Sequence, residues 1–272
     1  MITVGFIGAG NMGYAIMRGV ATSGLCDSSN GDKAIKLSAF DVNTQQTERL
    51  KKYGVTACAS EKDIMESCKY VFLAVKPQMF EEVLKTLSPY ATKDTVFVSI
   101  AAGITDKYIS DMTVENAKVV LVMPNTPLLL GEGASALSRN EEVTDEEFDV
   151  VLSIFSACGT AKVISKDKMK EIIAINGSSP AFTYLFAKCF MEYACSVGID
   201  ENVAKELFAK TLIGSAKMIT DSGYSIDELI TMVSSKGGTT IAGLNELYNG
   251  GFEQSISDCC KACTKRAYEL SK

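Results

Sequence analysis

Ile2-Thr3-Val4-Gly5-Phe6-Ile7-Gly8-Ala9-Gly10-Asn11-Met12-Gly13 opens the chain. Its first six residues are a short apolar run rich in β-branched and aromatic side chains, which reads as a buried strand. The next six are a G-x-G-x-x-G, and residues 14–20 behind them carry apolar side chains at helical spacing. Strand, motif and helix in this order form the context that a dinucleotide-binding turn requires. Gly8 allows the tight turn, Gly10 lets backbone approach a pyrophosphate, and Gly13 lets the helix pack close to the strand. The free N–H groups of Asn11 and Met12 at the helix start then meet the phosphate charge. The plainer alternative is an ordinary glycine-rich βα turn.

Downstream, strands alternate with helices. Residues 35–40 read as a second strand ending at Asp41, residues 45–53 as a helix, and residues 55–57 as a short strand. Stronger strands follow at residues 70–75, 95–100 and 118–123, ending at Lys76-Pro77, Ala101-Ala102-Gly103 and Pro124-Asn125-Thr126. This alternation predicts an α/β fold, a Rossmann-type, doubly wound and mainly parallel sheet. Ligands bind such sheets beyond the carboxyl ends of the strands. Gly8, Gly10, Asn11, Met12 and Gly13, then Ala74, Val75, Lys76 and Pro77, then Ala101, Ala102 and Gly103, and finally Asn125 therefore face one crevice as candidate cofactor-binding residues. Asp41 is placed to hydrogen-bond the adenine ribose hydroxyls, and with no Arg or Lys in Val42-Asn43-Thr44 it favours NADH over NADPH. A helix-capping role for Asp41 is the alternative. Lys76 reads either as a proton donor or as a sheet-end lysine near phosphate or solvent.

Near residue 164 the character changes. Beyond Ser165 only helical spacing recurs, as in Val203, Leu207, Phe208, Leu212 and Ile219 behind a capping Asp200. The boundaries are thus 1–164 for a dinucleotide-binding domain and 165–272 for an all-helical domain. Its helices are apolar over wide faces and carry the small residues Gly214, Ser215 and Ala216, which predicts an intertwined dimer, with a self-contained bundle as the alternative.

Composition narrows the function. The 272 residues are 47% hydrophobic with net charge −6 and no basic block, so a nucleic-acid partner is not expected. No apolar run approaches the roughly 20 residues of a membrane helix, and a strand starting at Ile2 leaves no signal peptide to cleave. Nine cysteines scattered from Cys26 to Cys263 read as reduced thiols of a cytoplasmic protein. Cys260-Lys261-Ala262-Cys263 reads as helix packing, and no metal site is expected. The chain has no histidine, which excludes every histidine acid/base scheme and any Ser-His-Asp triad.

Within the helical region, Val233-Ser234-Ser235-Lys236-Gly237-Gly238-Thr239-Thr240 breaks the pattern. Hydroxyls flank two glycines ahead of a helix, an arrangement that turns N–H groups inward and suits a carboxylate or a phosphate. A plain loop with a threonine cap is the alternative. Here the sequence resembles the pyrroline-5-carboxylate reductases nearly end to end: in residues 8–13, Ala74-Val75-Lys76-Pro77, residues 99–103, Met123-Pro124-Asn125-Thr126-Pro127 and Gly177-Ser178-Ser179-Pro180-Ala181. Residues 233–244 resemble the family signature. The chain departs from the family's usual pattern at Ser179, at Lys236, where Pro is usual, and at Asp41-Val42-Asn43, where many members carry a Ser-Asn-Arg-like segment for NADPH.

The resemblance implies NADH- or NADPH-dependent hydride transfer to the C=N carbon of 1-pyrroline-5-carboxylate, giving L-proline in the last step of proline synthesis. It implies Thr240 as the catalytic hydroxyl near the ring nitrogen, with Ser235, Gly238 and Thr239 also binding substrate. It further implies a homodimer, or a higher homo-oligomer such as a decamer built on dimers, with catalysis resting on bringing two reactants together. Two rivals stand beside it. The β-hydroxyacid dehydrogenases share the layout but carry a catalytic lysine soon after a glycine-rich turn, where this chain has none before Lys188. A dinucleotide-binding redox sensor would not need the loop at residues 234–240.

Overall fold

The computed structural model describes residues 1–271. Eight strands form one sheet: β1 (Ile2–Ile7), β2 (Ile35–Phe40), β3 (Thr56–Ala57), β4 (Tyr70–Leu73), β5 (Val96–Ser99), β6 (Lys118–Met123), β7 (Gly133–Arg139) and β8 (Gly159–Val163). Their spatial order is β3-β2-β1-β4-β5-β6-β7-β8. All neighbours are parallel except β6 and β7, which run antiparallel. The expected mainly parallel sheet is therefore present, and β7 and β8 extend it beyond the strands legible in the sequence. Between β1 and β4 the order reverses direction, which makes the ends of these two strands the switch point where such sheets open a crevice.

Helices α1 (Asn11–Thr22), α2 (Thr44–Glu48), α3 (Glu61–Ser67), α4 (Phe80–Leu87), α5 (Asp106–Met112) and α6 (Asp145–Ser156) connect and cover the strands. The stretch expected as one helix over residues 45–53 divides into α2 and a short 3-10 turn at Lys51–Tyr53. Side chains alternate across the sheet: Val4, Phe6, Phe72 and Val98 join one buried cluster, while Ile7, Val71, Leu73 and Phe97 join another. Phe72 stacks on Phe6 at 4.4 Å and lies 6.1 Å from Phe155 of α6. Burying each ring contributes about 2–3 kcal/mol.

Helices α7 (Ser179–Ser196), α8 (Glu201–Asp221), α9 (Ile226–Met232), α10 (Thr239–Asn249) and α11 (Phe252–Leu270) follow. The chain divides into two compact units, Ala181–Lys261 and the remainder. Asp200 caps α8 as its position predicts, accepting from the N–H groups of Asn202 and Val203 at 3.0 and 3.1 Å. In the helical unit Phe186, Phe190, Phe208 and Phe252 cluster, with Phe190 and Phe208 stacked at 4.4 Å. Yet the buried apolar residues of this unit are Ala194 and Ala204, whereas Tyr184, Leu207, Ile219 and Met232 are exposed. No described helix is long and apolar enough to cross a membrane.

One ion cluster pins the amino ends of the strands. Glu147, in the first turn of α6, is 5% exposed and lies 2.7 Å from Lys118 Nζ and 2.8 Å from Lys69 Nζ. Its Oε2 also accepts from the Thr144 N–H at 3.1 Å, closing a capping box. Burial alone would push this carboxyl up, but the two ammonium groups and the N–H outweigh it and hold the carboxyl down to about 2. A depressed carboxylate adds stability that is complete above its ordinary value near 4.5 and disappears as pH falls toward about 2. Glu147→Gln is expected to cost on the order of 2 kcal/mol at neutral pH and much less near pH 2. Urea unfolding of both proteins across that range checks this, and a pH-independent difference would refute it.

Candidate dinucleotide and carboxylate sites

The fingerprint turn is built where no side chain fits. Gly8 has φ +101, and a Cβ there would stand 2.5 Å from the Ala74 carbonyl oxygen. A Cβ on Gly13 would run into the Gly8 carbonyl oxygen. These contacts press the start of α1 against the ends of β1 and β4. Gly10 differs, because a Cβ on it would meet nothing within 4 Å. As the cap of α1, Gly10 also offers no side chain to its first N–H groups. The N–H groups of Asn11 and Met12 are therefore left for an anion beside open space.

A cavity of about 380 Å³ is not the only opening at this edge; a neighbouring one of about 370 Å³ brings together Gly8, Gly10, Asp41, Ala74, Val75 and Lys76 from the predicted set. Pro77 starts the short turn that follows, at a first position where its missing N–H is harmless. Ala101 and Gly103 line the former cavity with Met123 and Lys170, and Ala102 is exposed between them. Asn125 is buried, its Oδ1 accepting from the Ala134 N–H at 2.8 Å. The Asp41 carboxylate is fixed at both oxygens: Oδ2 accepts from the Ala9 N–H at 2.7 Å and Oδ1 from the Asn43 N–H at 2.8 Å. The cap of α2 is Asn43, not Asp41. Each Asp41 oxygen keeps a further acceptor site, which suits ribose hydroxyls.

The structure adds residues that the sequence pattern did not single out. Glu61 and Glu82 join Asp41 around the cavity, with Lys76 as the one cation among its lining residues. Asn176 donates through Nδ2 to the Met123 and Ala134 carbonyl oxygens at 2.7 and 3.0 Å, clipping the ends of β6 and β7 together. It lies on a π turn at Ile173–Gly177, for which the sequence carried no signal beyond Asn-Gly.

In the helical unit, Ser235, Gly238, Thr239 and Thr240 share one loop and the first turn of α10. Gly237 takes φ +72, and the Gly238 N–H closes a turn onto the Ser235 carbonyl at 2.9 Å. Gly238 caps α10 without a side chain, so the N–H groups of Thr239, Thr240 and Ile241 have no intrahelical acceptor. Ser234 commits its hydroxyl to the Ile230 carbonyl at 2.7 Å. Exposed Ser235, Thr239 and Thr240 and three N–H groups thus share this loop and helix start, with no negative charge among the predicted residues.

The remaining cysteines carry no site. None of the nine is in a disulfide, and the described residues hold no cluster of metal-ligating side chains. Burial pushes the Cys158 thiol up to about 11 against Gly19 of α1, which makes it inert packing.

The family model for pyrroline-5-carboxylate reductase dimerisation matches residues 166–270, and that for NADP oxidoreductase, coenzyme F420-dependent, matches residues 3–103. Pyrroline-5-carboxylate reductase 3 of Danio rerio is 34% identical over 99% of this chain and 91% of its own length. Pyrroline-5-carboxylate reductase of Escherichia coli (strain K12) is 32% identical over 99% and 98%. The structure of Plasmodium falciparum pyrroline carboxylate reductase with NADP bound superposes with a TM-score of 0.87 at 27% identity, covering 100% of this chain and 98% of that one.

The empty surroundings of Gly10 give a direct test. Gly10→Val is expected to fold with a melting temperature close to that of the parent, because its Cβ meets no protein atom within 4 Å. It should weaken dinucleotide binding by about 100-fold or more, as the new side chain fills the phosphate approach. Thermal melts paired with calorimetric titration of NADH would decide, and unimpaired binding would remove Gly10 from the site.

Proposed function

This chain belongs to the pyrroline-5-carboxylate reductase family, and from that premise we propose how its own residues carry the reaction. It is an NAD(P)H-dependent oxidoreductase that reduces 1-pyrroline-5-carboxylate to L-proline, in proline biosynthesis. The full-length relationship, over 99% of the chain, is the observation that carries this activity.

The residues around the switch point fit a nicotinamide dinucleotide: there is open space beside Gly10, N–H groups stand free at the start of α1, and the Asp41 carboxylate faces the same cavity. When bound, the reduced dinucleotide supplies the hydride that adds to the C=N carbon. In our reading Gly8, Gly10, Asn11, Met12 and Gly13 hold the pyrophosphate, while Asp41 accepts from the ribose hydroxyls. Val75, Lys76, Ala101, Ala102 and Asn125 line the path toward the nicotinamide. The substrate carboxylate is held at Ser235, Gly238 and Thr239, where the serine and threonine hydroxyls and the free N–H groups at the start of α10 supply donors without a strong acid. Thr240 places its hydroxyl near the ring nitrogen. A protonated imine is already electrophilic, so the absence of histidine is no obstacle to the chemistry.

We further propose NADH as the preferred cofactor. Asp41, Glu61 and Glu82 around one cavity, against Lys76 alone, oppose an added phosphate dianion there. The dimerisation region supports a homodimer, and the assembly we propose is that dimer or a higher homo-oligomer built on it, in the cytoplasm, where nine cysteines without a disulfide stay reduced. The boundary at residue 165 is proposed as the functional one, with residues 165–272 carrying dimerisation and substrate binding.

Oxidation of NADH and NADPH, run in parallel with pyrroline-5-carboxylate as acceptor, tests the reading. Faster turnover with NADH is expected; faster turnover with NADPH would overturn the preference while keeping the reaction, and no turnover would overturn both. Thr240→Ala should lower kcat by about tenfold or more with little change in the Kd for NADH. An unchanged kcat would remove Thr240 from the mechanism.

A further inference from the structure

A group of cations sits beside the fingerprint turn, outside the acidic cavity. Arg49 follows α2, and its guanidinium lies 4.1 Å from the Tyr14 ring centroid while Nη2 donates to the Ala9 carbonyl oxygen at 3.0 Å. Lys52 Nζ stands 5.0 Å over the Tyr53 ring. Arg18 is one turn beyond Tyr14 on α1 and reaches the Leu129 carbonyl at 3.5 Å. The Tyr14 and Tyr53 hydroxyls are 3.4 Å apart, which ties the three cations to one patch. Among the described residues, none of the three has a carboxylate at ion-pair distance. Three unpaired cations grouped together, in a chain of net charge −6, make a local field opposite in sign to the whole.

The patch adjoins the ribose position through a single residue. The Ala9 N–H donates to Asp41 Oδ2 at 2.7 Å, and the Ala9 carbonyl accepts from Arg49. A carboxylate suited to hydroxyls and a guanidinium suited to phosphate therefore bond to the two consecutive peptide groups of one residue, Ala9. Arg49 spends one donor on Ala9 and retains others on its planar fork. The Ala9 bond and the Tyr14 ring hold that fork in place, so little rotamer freedom is lost when an anion arrives.

We propose that Arg49 is the residue that admits a 2′-phosphate on the adenine ribose, offsetting Asp41, with Arg18 and Lys52 strengthening the field around it. This rests on the reading of Asp41 as the ribose-facing group. It makes the cofactor choice a balance between two residues eight positions apart, instead of a property of Asp41 alone. NADH is favoured by the acids, and the extent to which NADPH is accepted is set by Arg49.

The test uses the full-length protein and binding as its readout. Kd is measured calorimetrically for NADH, NADPH and the fragment adenosine 2′,5′-bisphosphate, in the parent, Arg49→Gln and Arg49→Lys. The ratio of the NADPH Kd to the NADH Kd should rise about tenfold in Arg49→Gln, with the bisphosphate weakened alongside and Arg49→Lys falling between. In the parent, salt at about 0.5 M should weaken NADPH more than NADH, and this difference should shrink in Arg49→Gln. An unchanged ratio, or equal weakening of both dinucleotides, would overturn the proposal, the latter showing that Arg49 only props the turn through Ala9. Equal salt sensitivity in the parent would also overturn it, without reliance on either variant. Asp41→Asn separates the two readings: a parent that binds NADH no better than this variant would bring down the ribose assignment itself, whatever Arg49 does.

Discussion

The ligand edge of this protein depends on a backbone contact that leaves no room for side chains. The Gly13 Cα faces the Gly8 carbonyl, and Gly8 in turn faces the Ala74 carbonyl. α1 therefore starts hard against the ends of β1 and β4, at the point where the strand order reverses. That approach aims the helix's unsatisfied N–H groups and their partial positive charge into the crevice. In the proposed site the phosphate path is written in backbone, and the side chains around it are left to select the cofactor.

Those side chains divide by charge. Asp41, Glu61 and Glu82 line the cavity, while Arg18, Arg49 and Lys52 gather beside the turn, outside the residues that line it. Ala9 stands between them and is hydrogen-bonded in both directions. Rigid placement matters here as much as charge: Asp41 is held by two N–H donors and Arg49 by a carbonyl and a ring. Groups fixed before the ligand arrives discriminate by geometry, because they do not relax to accommodate the wrong partner.

The helical unit obeys a different constraint. With Ala194 and Ala204 as its buried apolar residues, and large side chains such as Leu207, Ile219 and Met232 exposed, it has little core of its own. Apolar surface on this scale is what an obligate interface covers. The dimerisation match over residues 166–270 accounts for it. The loop ahead of α10 lies in this same unit, so the region that the dimerisation model matches also carries the proposed carboxylate donors.

The sequence alone determined the elements whose signals are local. β1, β2 and β6 fall within the runs read as strands, because β-branched residues packed between Gly, Asp and Pro leave little choice of conformation. The fingerprint turn, the Asp200 cap and the loop ahead of α10 were legible for the same reason. β7 was not: Gly133-Ala134-Ser135-Ala136-Leu137-Ser138-Arg139 is rich in small residues of weak strand propensity and becomes a strand by pairing antiparallel with β6. Only the tertiary structure decided where Arg49 would stand. Seven residues, α2 among them, separate it from Asp41, and no spacing rule carries that turn of chain back to Ala9. Local propensity is encoded in neighbouring residues, whereas the meeting of Asp41, Ala9 and Arg49 depends on how the ends of β1 and β2 are packed beneath α1 and α2.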